Sequence, residues 1–300
     1  MNNPLAIRSS AARPARLAAD GALLVVAAIW GATFFMVKDA TSVFPVLAFL
    51  AIRFGLACVA LAPFVLHLGR WPRPAEWAWG LIAGLTFCGG YIFQTFSLRF
   101  VDSGRTGFLT GLYVVLVPLL ALVLLRHPLR LRAVMGASLA VLGLALLSNA
   151  PGGNLLGDVL ALLCALSFAA QIIAVAKFPP DADWRLMALI QSGCVALISG
   201  AFSLWTEPVP ASIPLSVLGV AAFTGLAATV FGLGVQVWAQ RRLPPSDTAI
   251  IFSMESPFSA LFGFLFRGET LALSGLIGCG LILAGMLTTA LGGQEPAELP

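Results

Sequence analysis

The chain has 300 residues, 59% of them hydrophobic and 10% charged, and its 17 basic and 13 acidic side chains leave a formal net charge of +4. Soluble domains carry about 25% charged residues, so a water-bathed fold of this length could not cover its surface, and lipid must take the place of water. A net charge so small and dispersed also argues against a nucleic-acid partner.

A helix needs about 20 apolar residues to cross the hydrocarbon core of a bilayer. Arg8, Arg13 and Arg16 precede the first apolar run, 21–38. No small-residue cleavage motif follows it in a polar context, so it reads as an uncleaved span rather than a leader. Further runs follow at 45–66, 77–98, 104–125, 132–149, 156–176, 186–205, 214–239, 247–266 and 271–291. Backbone groups in lipid must be satisfied within each segment, which selects helices, and the long unbroken runs do not resemble the short alternating strands of a barrel.

With the N-terminus in the cytoplasm, that side holds Arg8, Arg13, Arg16, Arg70, Arg73, Arg126, Arg130, Arg132, Lys177, Arg185, Arg241 and Arg242. The other side holds Lys38, Arg99, Arg105 and Arg267. The bias predicts that both termini are cytoplasmic. Residues 1–20 and 292–300 read as short cytoplasmic tails.

The cysteines Cys58, Cys88, Cys164, Cys194 and Cys279 all lie inside apolar runs and form no close pair. His67 and His127 sit at span ends. No metal site, cofactor or catalytic residue is expected, and the chain does not read as an enzyme.

The two halves of the chain resemble each other. An offset of 138 lays Asp20 to Trp30 on Asp158 to Phe168 and Arg53 on Gln191. An offset of 142 then lays Gln94 on Gln236, Arg99 on Arg241, Gly136 on Gly278 and Gly143 on Gly285. Each half, 21–149 and 150–291, contains five predicted spans. Because five is odd, the second half enters the membrane from the opposite face. The expected fold is therefore an all-α membrane protein, ten transmembrane helices in two inverted five-helix repeats. In carriers so built the substrate site lies near the midplane between the repeats.

Several stretches carry a family resemblance that covers roughly residues 20–290. Ile29-Trp30-Gly31-Ala32-Thr33-Phe34-Phe35 with Lys38 resembles the first-span signature of EamA-type members of the drug/metabolite transporter superfamily. Phe49-Leu50-Ala51-Ile52-Arg53-Phe54 is similar to that family's second-span motif, and Glu255-Ser256-Pro257 with Gly268-Glu269-Thr270-Leu271 to its ninth- and tenth-span pattern. Ser256 departs from the pattern by separating the glutamate from the proline, and Arg126-His127-Pro128 stands where an acidic residue is usual. Within the superfamily the chain most resembles YddG-type exporters of aromatic amino acids.

Depth follows from a rise of about 1.5 Å per residue. Trp30, Phe168 and Tyr113 fall near mid-span, and Glu255 is the repeat mate of Tyr113. These four are expected to line a central cavity, with Phe34, Tyr91 and Gln171 as further candidates. Gln94 and Gln236 read either as matched polar groups at the cavity mouths or as interhelical hydrogen-bond partners. An ionisable group at mid-membrane faces the bundle interior, and three roles are open to Glu255: binding a substrate amine, carrying a coupled proton, or holding backbone loosened by Pro257. Arg53 reads as a scaffold, to Glu255 or to backbone carbonyls, in preference to a carboxylate site. Lys38 reads as a snorkelling cation. Pro118 and Pro257 are expected to kink their spans and serve gating.

Only two ionisable residues sit at mid-depth, which disfavours a phosphorylated substrate. Aromatic and amide side chains favour small neutral or zwitterionic molecules with an apolar part, amino acids or drug-like compounds. The expected function is alternating-access transport of such a molecule, most simply export across a bacterial inner membrane. An intramembrane lipid-modifying enzyme and a passive pore are the alternatives.

Overall fold

A computed structural model describes residues 4–125, 131–179, 181–240, 251–252 and 254–291. These residues are helical and contain no strand. In chain order the helices are α1 (Pro4–Val43), α2 (Val46–Leu66), α3 (Pro74–Ser97), α4 (Ser103–Gly111), α5 (Tyr113–Leu125), α6 (Leu131–Ser148), α7 (Leu155–Ala176), α8 (Trp184–Thr206) and α9 (Leu215–Phe223). A π-helical stretch, Thr224–Phe231, runs on into α10 (Gly232–Gln240), followed by α11 (Glu255–Arg267) and α12 (Leu273–Leu291).

Among the described residues, six stretches are long and apolar enough to cross a membrane: Ala18–Val43, Val46–Leu66, Ser103–Leu120, Leu155–Ala176, Trp184–Thr206 and Leu215–Ala239. The apolar parts of α6 and α12, Val134–Leu147 and Leu273–Thr288, are shorter. The predicted start of the ninth span, at residue 247, lies outside the described residues. What faces outward identifies the solvent. Val59, Leu155, Leu197 and Leu204 are largely exposed, whereas Thr106, Gln191, Ser192, Thr229 and Ser256 are fully buried. Apolar residues outside and polar ones within suit a lipid surround. The protein is a multi-pass membrane protein.

Three predicted spans are less regular than their hydropathy suggests. The fourth divides at Leu112, whose N–H bonds the carbonyl of Leu109 in a tightened i→i−3 turn. Pro118 follows inside α5 and denies Val114 its intrahelical partner. The ninth begins α11 at Glu255, so Pro257 stands in a first turn, where its missing N–H costs nothing. The break precedes the proline, and the expected kink at Pro257 is replaced by a helix start. The eighth widens into the π stretch, where Thr229 Oγ1 donates to the Thr224 carbonyl five residues back at 3.0 Å.

The principal packings join α6 to α12, α3 to α7, α2 to α8, α1 to α11 and α4 to α11. Glycine permits the closest of them. A methyl on Gly278 would lie 2.7 Å from the Gly143 carbonyl oxygen, and one on Gly285 would lie 2.5 Å from that of Gly136. As the number rises on α6 it falls on α12, so the two helices cross antiparallel, backbone against backbone.

Polar ties bind one end of the bundle. Lys38 Nζ donates to Asp102 at 2.9 Å, to Glu269 at 3.0 Å and to the Val101 carbonyl at 3.1 Å. Lys38 therefore does not snorkel; it joins α1 to the start of α4 and to the α11–α12 turn. Glu269 also accepts from the Ser103 N–H at 2.9 Å, and Gly268, at φ 64°, ends α11 in the left-handed region so that Glu269 can turn inward. Arg267 pairs with Asp39. At the same end Arg105 holds Asp158 through two 2.7 Å bonds. Glu207 caps α2 by accepting from the Leu47 and Ala48 N–H groups at 3.0 and 2.9 Å.

The opposite, arginine-rich end is tied through Glu76. Its buried carboxylate accepts from Arg70 at 2.7 and 2.8 Å, from the Arg73 N–H at 2.6 Å and from the Arg73 side chain at 3.0 Å. Arg73 reaches on to Asp181 at 2.6 Å. Glu76 precedes the third predicted span, and the Arg70 hydrogen bonds above all hold its carboxyl down at about 2, from an ordinary 4.5. A folded value below the unfolded one stabilises fully above pH 4.5 and is lost as pH falls through about 2. The difference in unfolding midpoint between the protein and Glu76→Gln is expected to be widest at pH 6 and to shrink at pH 3, which thermal melts in detergent at roughly these two values would check. A gap that stays constant with pH would contradict this assignment.

A buried arginine in an aromatic core

The fold sets two apolar clusters side by side, and Phe168 of α7 packs against both. In one of them the rings of Phe54, Phe87, Tyr91 and Phe168 form a connected set. Phe87 lies 4.7 Å from Tyr91, Phe54 4.8 Å from Tyr91, and Phe168 5.4 Å from Tyr91. Gly90 makes room for Phe168, because a methyl there would collide with the ring. Phe34 is buried in the same cluster as packing.

Arg53, 1% exposed, lies between these rings, its guanidinium 4.5 Å from the Tyr91 centroid and 5.0 Å from that of Phe54. Its Nη2 donates to Tyr91 OH at 3.2 Å and, weakly, to Thr229 Oγ1 at 3.5 Å. The expected partners, Glu255 or backbone carbonyls, are thus replaced by two hydroxyls. The reason is local: Tyr91 comes from α3, while the widened turn of the π stretch brings Thr229 in from the other half of the chain.

Trp30 meets the same π stretch. Its Nε1 donates to the Ala228 carbonyl at 2.7 Å, and its ring lies 4.7 Å from Phe252. Tyr113 and Glu255 are both buried, and Tyr91, Tyr113 and Cys164 are all within electrostatic reach of the Glu255 carboxylate. The Tyr113 hydroxyl has no hydrogen-bond partner among the described residues. Glu255 occupies the first turn of α11, where the positive end of the helix favours an acid.

Other candidates lie apart. Gln171 spends one of its two amide N–H groups on Gln191 Oε1 of α8, at 2.8 Å. Sequence distance hid this bond, and the repeat alignment that matched Gln191 with Arg53 was its only signal. Gln94 and Gln236 are buried on α3 and α10. Two open grooves, of about 470 and 320 Å³, have none of these residues in their linings. The first runs along the π stretch and α10 beside Trp184, and the second lies beside Asp102 and Glu269. The expectation of one open central cavity is not met by either. Sequence reasoning also missed Thr229, the Ala228 carbonyl, Phe87 and Phe252, since nothing in their spacing singles them out among the other threonines, alanines and phenylalanines of the apolar runs.

The sequence pattern of the EamA-like transporter family matches residues 17–149 and then, a second time, residues 155–291. The chain belongs to the EamA-like transporter family. An uncharacterized transporter of Archaeoglobus fulgidus is 33% identical over 276 residues, 92% of this chain and 87% of that protein. The uncharacterized transporter YoaV of Bacillus subtilis is 23% identical over 281 residues, 88% of this chain and 94% of that protein. A crystal structure agrees with TM-score 0.63 at 20% identity, covering 90% of this chain and 95% of the other, a likeness of fold alone. This EamA-family member therefore carries the family pattern twice, and its buried arginine lies where residues of the two copies meet.

Proposed function

We propose that the protein is an alternating-access carrier of ten spans in two inverted five-helix repeats, exporting small neutral or zwitterionic metabolites across a bacterial inner membrane. Amino acids with aromatic or other apolar side chains and drug-like compounds are the substrate classes. Both termini lie in the cytoplasm on this reading, as the arginine and lysine bias favours.

The observation that carries it is the glycine crossing. Gly136 and Gly278 are repeat mates, as are Gly143 and Gly285, yet the contacts run from Gly143 to Gly278 and from Gly136 to Gly285. A two-fold axis between two copies produces this exchange, in which each site meets the mate of its partner's site. Inverted copies around such an axis can swap conformations and so open alternately to either face. The aromatic set around Tyr91, with the unpartnered Tyr113 hydroxyl near Glu255, supplies a mid-depth surface for a molecule that is part apolar and part charged.

Counterflow of labelled aromatic and aliphatic amino acids into proteoliposomes tests this reading. Trans-stimulation by at least one of them is expected. Trp30→Ala and Tyr113→Ala should each lower it about tenfold, the factor set by roughly 1.4 kcal/mol of aromatic contact, with unchanged yields of monodisperse protein. Normal flux in both variants would remove these residues from the path, and turnover of a lipid without counterflow would favour the enzyme alternative.

A further inference from the structure

Two arginines of this protein are equally buried and differently employed. Arg105, 2% exposed, presents Nε and Nη2 to the two carboxylate oxygens of Asp158, each at 2.7 Å. Arg53 has the same two-donor edge. Its Nη2 meets only neutral hydroxyls, at 3.2 and 3.5 Å, and its buried Nε–H has no acceptor. Among the described residues no carboxylate forms an ion pair with it. The guanidinium keeps its proton, so the interior holds a charge to which no carboxylate is directly paired among the described residues. The faces of Tyr91 and Phe54 stabilise that charge, but rings take none of the in-plane N–H donors.

We propose that Arg53 anchors the carboxylate of the transported molecule, gripping it bidentately on the Nε–Nη2 edge as Arg105 grips Asp158. The inference rests on the carrier reading and narrows its substrates to those that join a carboxylate to an apolar, planar group. Tyr91 OH and Thr229 Oγ1 steady the edge in the empty protein, and each hydroxyl can turn to donate to an incoming anion. Phe87, Tyr91 and Phe168 face the apolar part. Because Thr229 belongs to the second family copy and Arg53 to the first, a ligand bound here bridges the two. The competing view, that Arg53 only braces Tyr91 and Thr229, gives the ligand carboxylate no role.

The test is equilibrium binding by the purified full-length protein of L-phenylalanine, of 3-phenylpropanoate, which lacks the amine, and of L-phenylalaninamide, which lacks the carboxylate. Both acids are expected to bind at least about tenfold tighter than the amide, as charge-assisted hydrogen bonds require. Arg53→Gln should erase that preference. Arg53→Lys keeps the charge but not the two-donor edge, and should lose most of it; it serves where the glutamine variant does not fold. An amide that binds wild-type protein as tightly as the acids overturns the role of Arg53 while leaving the carrier reading intact, as does a preference that survives in either variant. Failure of all three probes to bind, together with absent amino-acid counterflow, overturns the carrier reading itself and this inference with it.

Discussion

Asp158→Ala is expected to destabilise the folded protein by about 3–5 kcal/mol, because it strands a buried cation. Arg105 and Asp158 are 2% and 3% exposed, and their two 2.7 Å bonds fasten α4 to α7. Close by, Ser97 Oγ donates to the Gly157 carbonyl at 2.8 Å, so the end of α3 is drawn to the same place. The pair as a whole need not stabilise, since desolvating two charges offsets their attraction. Removing both partners, as Arg105→Met with Asp158→Leu, should therefore leave stability within about 1–2 kcal/mol of the starting protein. Unfolding by denaturant in a fixed detergent measures both variants. A single substitution that costs less than about 1 kcal/mol would place the pair in water, as a surface ion pair.

Gly278→Val should be the next most damaging change. Its first added carbon would lie 2.7 Å from the Gly143 carbonyl oxygen and 2.8 Å from the Leu147 nitrogen. Both neighbours are backbone, which cannot rotate aside as a side chain can, so α6 and α12 must separate. Overpacking of this kind costs about 1–3 kcal/mol, and the misplaced helices should also lower flux. Gly280, on the same helix, has nothing within 4 Å of a new carbon. Gly280→Val should stay within about 0.5 kcal/mol, as surface changes do. Equal melting temperatures for the two variants would show that the glycine crossing does not set the helix separation.

Hydropathy located the apolar helices, six of them long enough to cross a membrane among the described residues, because apolarity is a property of composition. It was blind to the register of hydrogen bonds inside them. The division at Leu112, the start of α11 at Glu255 and the π stretch at Thr224–Phe231 all leave the apolar content of their runs unchanged. Pro118 and Pro257 hinted at two of these, but Pro257 proved to follow its break. The candidate site was legible to a similar depth. Arg53, Trp30, Tyr91 and Tyr113 could be chosen because a polar or aromatic group in an apolar run stands out. Their partners could not, since every residue has a carbonyl like that of Ala228, and nothing in the spacing sets Thr229 apart from Thr224 in the same run. Lys38 was misread because a charge near a span end looks solvated until the fold brings Asp102 and Glu269 against it.

The two copies of the family pattern are not folded alike. The offset that matches Gln94 with Gln236 sets Thr224–Phe231 against residues 82–89, which lie within the uninterrupted α3. Among the described residues only the later copy stores a looser winding, and that winding touches both Trp30 and Arg53. On the carrier reading, exchange of shapes between unequal halves would not yield end states equivalent by the two-fold axis. If the carrier reading proposed above holds, the empty molecule would therefore have a home side, to which it returns between cargoes, and the two legs of its journey would run at different speeds.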